Sequence, residues 1–139
     1  MHPRGYTLLE LVIVVTIAAL AMTIAIPRAR NALDRITVRA ASGDIISTLA
    51  SARVYALAAG SPMVVDVDSV TGTIRVRHGT DLLLSRGIGQ AHGVRLTKTR
   101  DSLVYDPRGL GRGAANLSII VRLRSAAETV FVSRLGRVR

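Results

Sequence analysis

Gly5-Tyr6-Thr7-Leu8-Leu9-Glu10-Leu11 opens an apolar stretch that runs to Ile26 and stops at Pro27. As a helix, the 21 residues from Tyr6 to Ile26 span roughly 31 Å at about 1.5 Å per residue, close to the thickness of a bilayer's hydrocarbon core. Glu10 is the anomaly. A carboxylate inside such a span costs roughly 2.5–3.5 kcal/mol on insertion scales, so it calls for a partner or a function. Arg4 precedes the span. By the positive-inside rule it keeps the amino terminus cytoplasmic and sends everything after Pro27 across the membrane.

Three plainer readings compete. A secretory signal peptide would use Arg4 as its basic region and Ala19-Leu20-Ala21 for cleavage, but this run exceeds the usual apolar core of about 7–15 residues and carries Glu10 within it. A simple signal anchor leaves both Gly5 and Glu10 unexplained. The buried helix of a soluble protein would hardly be so long and so uniformly apolar.

The chain has 139 residues, enough for one small domain beyond the helix. Without cysteine, neither a disulfide nor a thiolate metal site is possible, and an exported domain must rely on packing alone. Basic residues outnumber acidic ones, 19 to 9. Lys98 is the single lysine; the other basic residues are arginines. Such a surface attracts polyanions: DNA, anionic lipid or an acidic partner.

Helical character continues from Ala29 to Ala59, with Gly43 as its weak spot. Arg28, Arg30 and Arg35 lie where they can meet lipid headgroups. Ile45, Ile46, Leu49, Ala50, Ala56 and Leu57 form the expected apolar face, with Asp44, Thr48, Ser51 and Tyr55 opposite. The stripe is less clean between Leu33 and Ser42, as suits a bridge from membrane to head. Gly60-Ser61-Pro62 ends the helix. Beyond it come short β runs: Met63–Val67 and Thr73–His78 as a hairpin, then Leu82–Ser85, Val94–Thr97, Leu103–Tyr105, Leu117–Arg124 and Thr129–Ser133. Arg75 and Arg77, and likewise Arg122 and Arg124, alternate with apolar residues, which predicts each pair on one solvent-facing side of a strand. Arg86–Gly93 and Pro107–Asn116 read as Gly-rich connectors. The predicted fold class is α+β, a long amino-terminal helix whose second half packs on an antiparallel sheet. The predicted organisation is a leader over 1–5, a transmembrane and assembly helix over 6–27, the amphipathic half of the helix over 28–60, and a β-rich head with a basic tail over 61–139.

The opening stretch resembles the type III signal of type IV prepilins and type II secretion pseudopilins. That resemblance implies cleavage after Gly5 by a prepilin peptidase and N-methylation of the new amino terminus, Tyr6. It also implies that Glu10 neutralises a neighbouring subunit's amino terminus during filament assembly, and that Pro27 kinks the helix. Further along, Leu49-Ala50-Ser51-Ala52-Arg53-Val54-Tyr55-Ala56-Leu57 followed by Gly60-Ser61-Pro62-Met63 is similar to the minor pilins called GspH/FimT. So are Val104-Tyr105-Asp106-Pro107-Arg108-Gly109 and the closing Val130–Arg139. Members often carry Ser-Glu after the helix arginine; Val54-Tyr55 stand here instead. Secretion-type members are minor pseudopilins, whereas some FimT-type members bind DNA through a carboxy-terminal Gly-Arg-x-Arg, which Gly136-Arg137-Val138-Arg139 matches.

In an extended tail, Arg137 and Arg139 point the same way roughly 6.6–7 Å apart, near the spacing of successive phosphates, and Arg134 adds a third charge. The resemblance implies prepilin peptidase, other pilin or pseudopilin subunits and DNA as partners, and the apolar span adds inner-membrane lipid. The expected location is the inner membrane, single-pass with the head periplasmic, and then a filament. No catalytic residue, cofactor or metal is expected. His2 sits in the leader, and His78 and His92 stand alone beside loops. Asp66-Val67-Asp68 to Gly72 lacks the ligands of a calcium loop, and Gly109–Gly113 lacks the lysine of a phosphate-binding loop.

Overall fold

The computed structural model describes residues 6–112, 116–133 and 135–139. The leader with Arg4 and the expected cleavage position Gly5, Gly113 of the second connector, and Arg134 of the tail lie outside the described residues. By its internal contacts the chain divides into two compact units, Met1–Leu33 and Asp34–Arg139.

Both units contain part of one helix, α1 (Leu8–Ala59), which is continuous through Pro27. In the first unit every described residue is exposed. In the second, α1 buries Asp34, Val38, Ala41, Ser42, Ile45, Thr48, Leu49, Ala52 and Ala56. These recur three and four residues apart, so they form a single face. The expected stripe is displaced around the helix. Ile46 and Leu57 are exposed and Thr48 is buried, its hydroxyl donating to the Asp44 carbonyl at 2.7 Å. A threonine that satisfies its own hydroxyl on the preceding turn behaves as an apolar residue of valine size. Burial also begins earlier than expected, at Asp34 rather than after Ser42.

The head holds β1 (Met63–Asp68), β2 (Thr73–His78), β3 (Asp81–Gly87), α2 (Ile88–His92), β4 (Arg95–Lys98), β5 (Ser102–Tyr105), β6 (Gly111–Arg112), β7 (Leu117–Leu123) and β8 (Ala126–Val132). Their pairing is antiparallel throughout, in two sheets ordered β3-β2-β1-β5-β6 and β4-β7-β8. Alternation in β1 and β7 places Met63, Val65 and Val67, and Leu117, Ile119 and Val121, in the core with Ile45 and Leu49. The predicted single sheet is thus two. The two connectors are also more ordered than read, one containing α2 and the other β6. Both elements are very short, at five and two residues, too brief for periodicity to reveal.

The β1–β2 turn is built by Asp68, whose carboxylate accepts from the Val70 and Thr71 amides and the Thr71 hydroxyl. Those bonds, the Thr71 hydroxyl foremost, hold its pKa below the ordinary aspartate value. One arginine departs from the predicted alternation. Arg122 faces solvent, but Arg124 leaves the strand, takes a positive φ of 50° in the β7–β8 turn, and donates from Nη1 to buried Asp34 at 2.7 Å. This ion pair ties the turn to the start of the buried stretch of α1.

Arg124→Ala removes the guanidinium partner of a buried carboxylate. It should lower head stability by about 1–3 kcal/mol, read as an earlier midpoint in urea unfolding of the detergent-solubilised chain. Arg122→Ala, on the open face, should shift the midpoint far less.

Candidate functional site

Two places gather the residues singled out by sequence, one in each unit. At the start of α1, the Thr7 hydroxyl accepts from the Glu10 amide at 3.2 Å, while Glu10 Oε2 accepts from the Thr7 amide at 2.9 Å and its hydroxyl at 3.1 Å. This reciprocal pattern is a capping box, which satisfies two backbone donors that a helix leaves open at its start. The Thr-x-x-Glu spacing that announces it is plain in the sequence. The anomalous carboxylate therefore has a partner within its own chain. Tyr6 precedes the box and is 90% exposed. From Tyr6 to Ile26, thirteen large apolar side chains are exposed. Left in water they would cost on the order of 20 kcal/mol or more, which exceeds the roughly 5–15 kcal/mol by which a domain is stable.

In the second unit the basic tail is not a free extended arm. It folds back on β8: Phe131 and Arg139 exchange both backbone hydrogen bonds at 2.9 Å, Ser133 donates to the Arg137 carbonyl at 2.9 Å, and Val132 bridges Val138. Arg137 and Arg139 are both exposed, two residues apart on one side of this added strand. Arg134, expected as a third cation, lies outside the described residues.

The reversal depends on Gly136, at φ 70°. A Cβ there would lie 2.6 Å from the Gly109 carbonyl oxygen and 3.0 Å from Tyr105 Cε1. Gly109, at φ 72°, is crowded less severely and by side chains, since its Cβ would stand 3.0 Å from Arg53 Nε and 3.3 Å from Leu57 Cγ. Only glycine adopts that conformation with so little space. Asp106 shapes the turn beneath by accepting from the Arg108 and Leu110 amides at 2.9 Å. Helix arginine, aromatic–proline–glycine turn and closing glycine, which are far apart in sequence, thus meet in one stack. Arg53 Nε and the Tyr105 hydroxyl are buried there with no hydrogen-bond partner among the described residues. Burial pushes the Tyr105 pKa up to about 12, against a smaller downward pull from Arg53.

The histidines are placed differently from expectation in one case. His92 sits at the end of α2 and meets Asp44 of α1 at 2.7 Å, while His78 ends β2. Arg35, expected at lipid headgroups, lines a groove with Val38, Arg39, Ser125 of the β7–β8 turn and Ala126, Ala127 and Glu128 at the start of β8. Among the described residues no group of three or more His, Cys, Asp or Glu could hold a metal.

Residues 1–26 match the Prokaryotic N-terminal methylation motif, and residues 41–136 match the family described as Type II transport protein GspH. None of the curated proteins matches the chain. Among solved structures, the chain is similar to the type IV minor pilin FimU of Pseudomonas aeruginosa in two crystal forms. One superposes with a TM-score of 0.65 at 12% identity, covering 76% of this chain and 88% of FimU. The other gives 0.61 at 11%, covering 73% and 90%. The fold is therefore that of a minor pilin, a long amino-terminal helix with an antiparallel α+β head.

Gly136→Ala forces a side chain into the left-handed region, at about 1–2 kcal/mol, and against a backbone carbonyl. It should undock the tail without unfolding the head. Hydrogen exchange should show the Phe131 and Arg139 amides losing protection while the β7 amides keep theirs.

Proposed function

The chain belongs to the GspH family of type II transport proteins, and on that premise we propose that it is a minor pilin-like structural subunit of a type II secretion pseudopilus or type IV pilus. The observation that carries this reading is the first unit: a capped helix whose apolar surface is uncovered on every side. Such a surface fits two successive environments, lipid first and the helices of neighbouring subunits afterwards. A prepilin peptidase would cut after Gly5, leaving Tyr6 as the methylated amino terminus. The segment 6–27 would anchor the subunit in the inner membrane with the head outside. Pro27 supplies a point where the helix can bend, because its ring removes one backbone donor. No catalytic step is assigned to the chain.

Glu10 then has two tasks. In the isolated subunit its carboxylate closes the capping box. In the filament the same carboxylate would pair with a neighbour's amino terminus, away from water, where an unpaired charge is costly.

A second reading, a DNA-binding minor pilin acting in DNA uptake, is favoured by one observation. Gly136 turns the tail so that Arg137 and Arg139 project together from a fixed strand, and neither joins an ion pair among the described residues. Two fixed guanidiniums would contact successive phosphates, giving non-specific and salt-sensitive binding.

Glutamine can still serve in a capping box, so Glu10→Gln separates the two tasks of that residue. The variant should be processed normally yet reach sheared filaments at least tenfold less than the wild type, by immunoblot. Wild-type incorporation would leave Glu10 with the helix start alone. For the second reading, the detergent-solubilised full chain should retard DNA in a salt-dependent manner, and Arg137→Ser with Arg139→Ser should remove most of that binding. Unchanged retardation would exclude the tail as the contact.

A further inference from the structure

The three-stranded sheet has an inner face of Leu117, Ile119, Val121, Val130 and Val132 in the core, so the intervening residues form its outer face. Register places those residues in rows. Arg95 of β4 lies directly opposite Arg122 of β7, Ile120 opposite Thr129, and Ser118 opposite Phe131. The folded-back tail adds a fourth strand, with Arg139 opposite Phe131. Read across the strands, Arg95, Arg122, Ile120, Phe131, Arg139 and Arg137 step diagonally over the whole face. Two arginines stand at each end, and apolar surface lies between them. No Asp or Glu occupies an outward position on β4, β7, β8 or residues 137–139; Glu128 belongs to the opposite side by alternation.

Two features mark this face as a binding surface. Like charges directly opposite each other destabilise a sheet, and neither Arg95 nor Arg122 joins an ion pair among the described residues. Phe131, the chain's single phenylalanine, is 39% exposed beside Arg139 on the basic track rather than in the core.

We infer that the outer face of the β4-β7-β8-tail sheet binds single-stranded nucleic acid, with the four arginines on phosphates and a base stacked on Phe131. This rests on the DNA-binding reading of the tail and extends it to residues that no tail motif contains. Single-stranded ligand follows from shape. Four strands about 4.8 Å apart make a face roughly 14 Å wide, broader than the ~12 Å major groove of duplex DNA, which admits a helix or two-stranded ribbon. A single strand instead lies flat on such a sheet and offers its bases to an aromatic ring. The diagonal from Arg122 to Arg139 is roughly 16 Å, long enough for two or three phosphates.

The test uses the full chain in non-ionic detergent and fluorescein-labelled oligothymidylate of fifteen nucleotides, alone or in a duplex, followed by anisotropy. The single strand should bind at least tenfold more tightly than the duplex. Phe131→Ala should weaken single-strand binding about tenfold, within the range for one stacked base, and leave its salt dependence unchanged. Arg95→Ser with Arg122→Ser should weaken binding and reduce the slope against log salt by about 1.4, with a melting temperature equal to or above wild type.

Wild-type affinity in that double variant, with loss in the Arg137→Ser and Arg139→Ser variant, would leave the tail reading standing and overturn the sheet face. Equal affinity for duplex and an inert Phe131→Ala would overturn the single-strand assignment. Binding of neither oligonucleotide would end both readings. If phosphatidylglycerol added to the micelles then perturbed the Arg95 and Arg122 resonances, the face would belong to lipid.

Discussion

An apolar side chain that finds no cover within its own chain must find it elsewhere, and α1 is built around that constraint. From Leu8 to Leu33 the helix is exposed on every side; from Asp34 to Ala56 it buries one face. The composition of the buried face explains how a sheet can sit on it. Ala41, Ala52 and Ala56 are fully covered, and small side chains permit close approach. Ile45 and Leu49 fill the middle of the same face. The buried alternate residues of β1 and β7 share one core with this face of the helix.

The sequence revealed the long elements and their class, and it did so through period and length. A twenty-one-residue apolar run and strands of six or seven residues leave a strong signal. The rotational setting of α1 was less legible. Ile46 and Leu57 are as apolar as Ile45 and Leu49, and only the position of the sheet decides which pair is covered. The capping box is legible in the Thr7-x-x-Glu10 spacing, but the apolar run around it makes Glu10 stand out as a membrane charge instead. Arg124 could not have been placed beforehand. Its pairing with Asp34 joins residues ninety positions apart, and its positive φ belongs to a turn whose length the alternation concealed.

The tail shows the same limit from another side. Gly136-Arg137-Val138-Arg139 reads as a glycine turn into an extended basic tail, with nothing in it to say what it lies against. What orders it is backbone pairing with β8 and the seat offered by Gly109, and neither leaves a trace in hydropathy. Sequence could suggest the charge but not its neighbours, so Arg95, Arg122 and Phe131 came to light only through strand register.

The meeting of Gly109 and Gly136 has a consequence for the chain as a polymer. It closes a loop of nearly thirty residues by contact alone, in a protein with no cysteine. A covalent bridge would hold such a loop shut until a thiol attacked it. Here the latch contains no sulfur, so neither thiol nor oxidant acts on it, and it is held by packing and backbone hydrogen bonds alone.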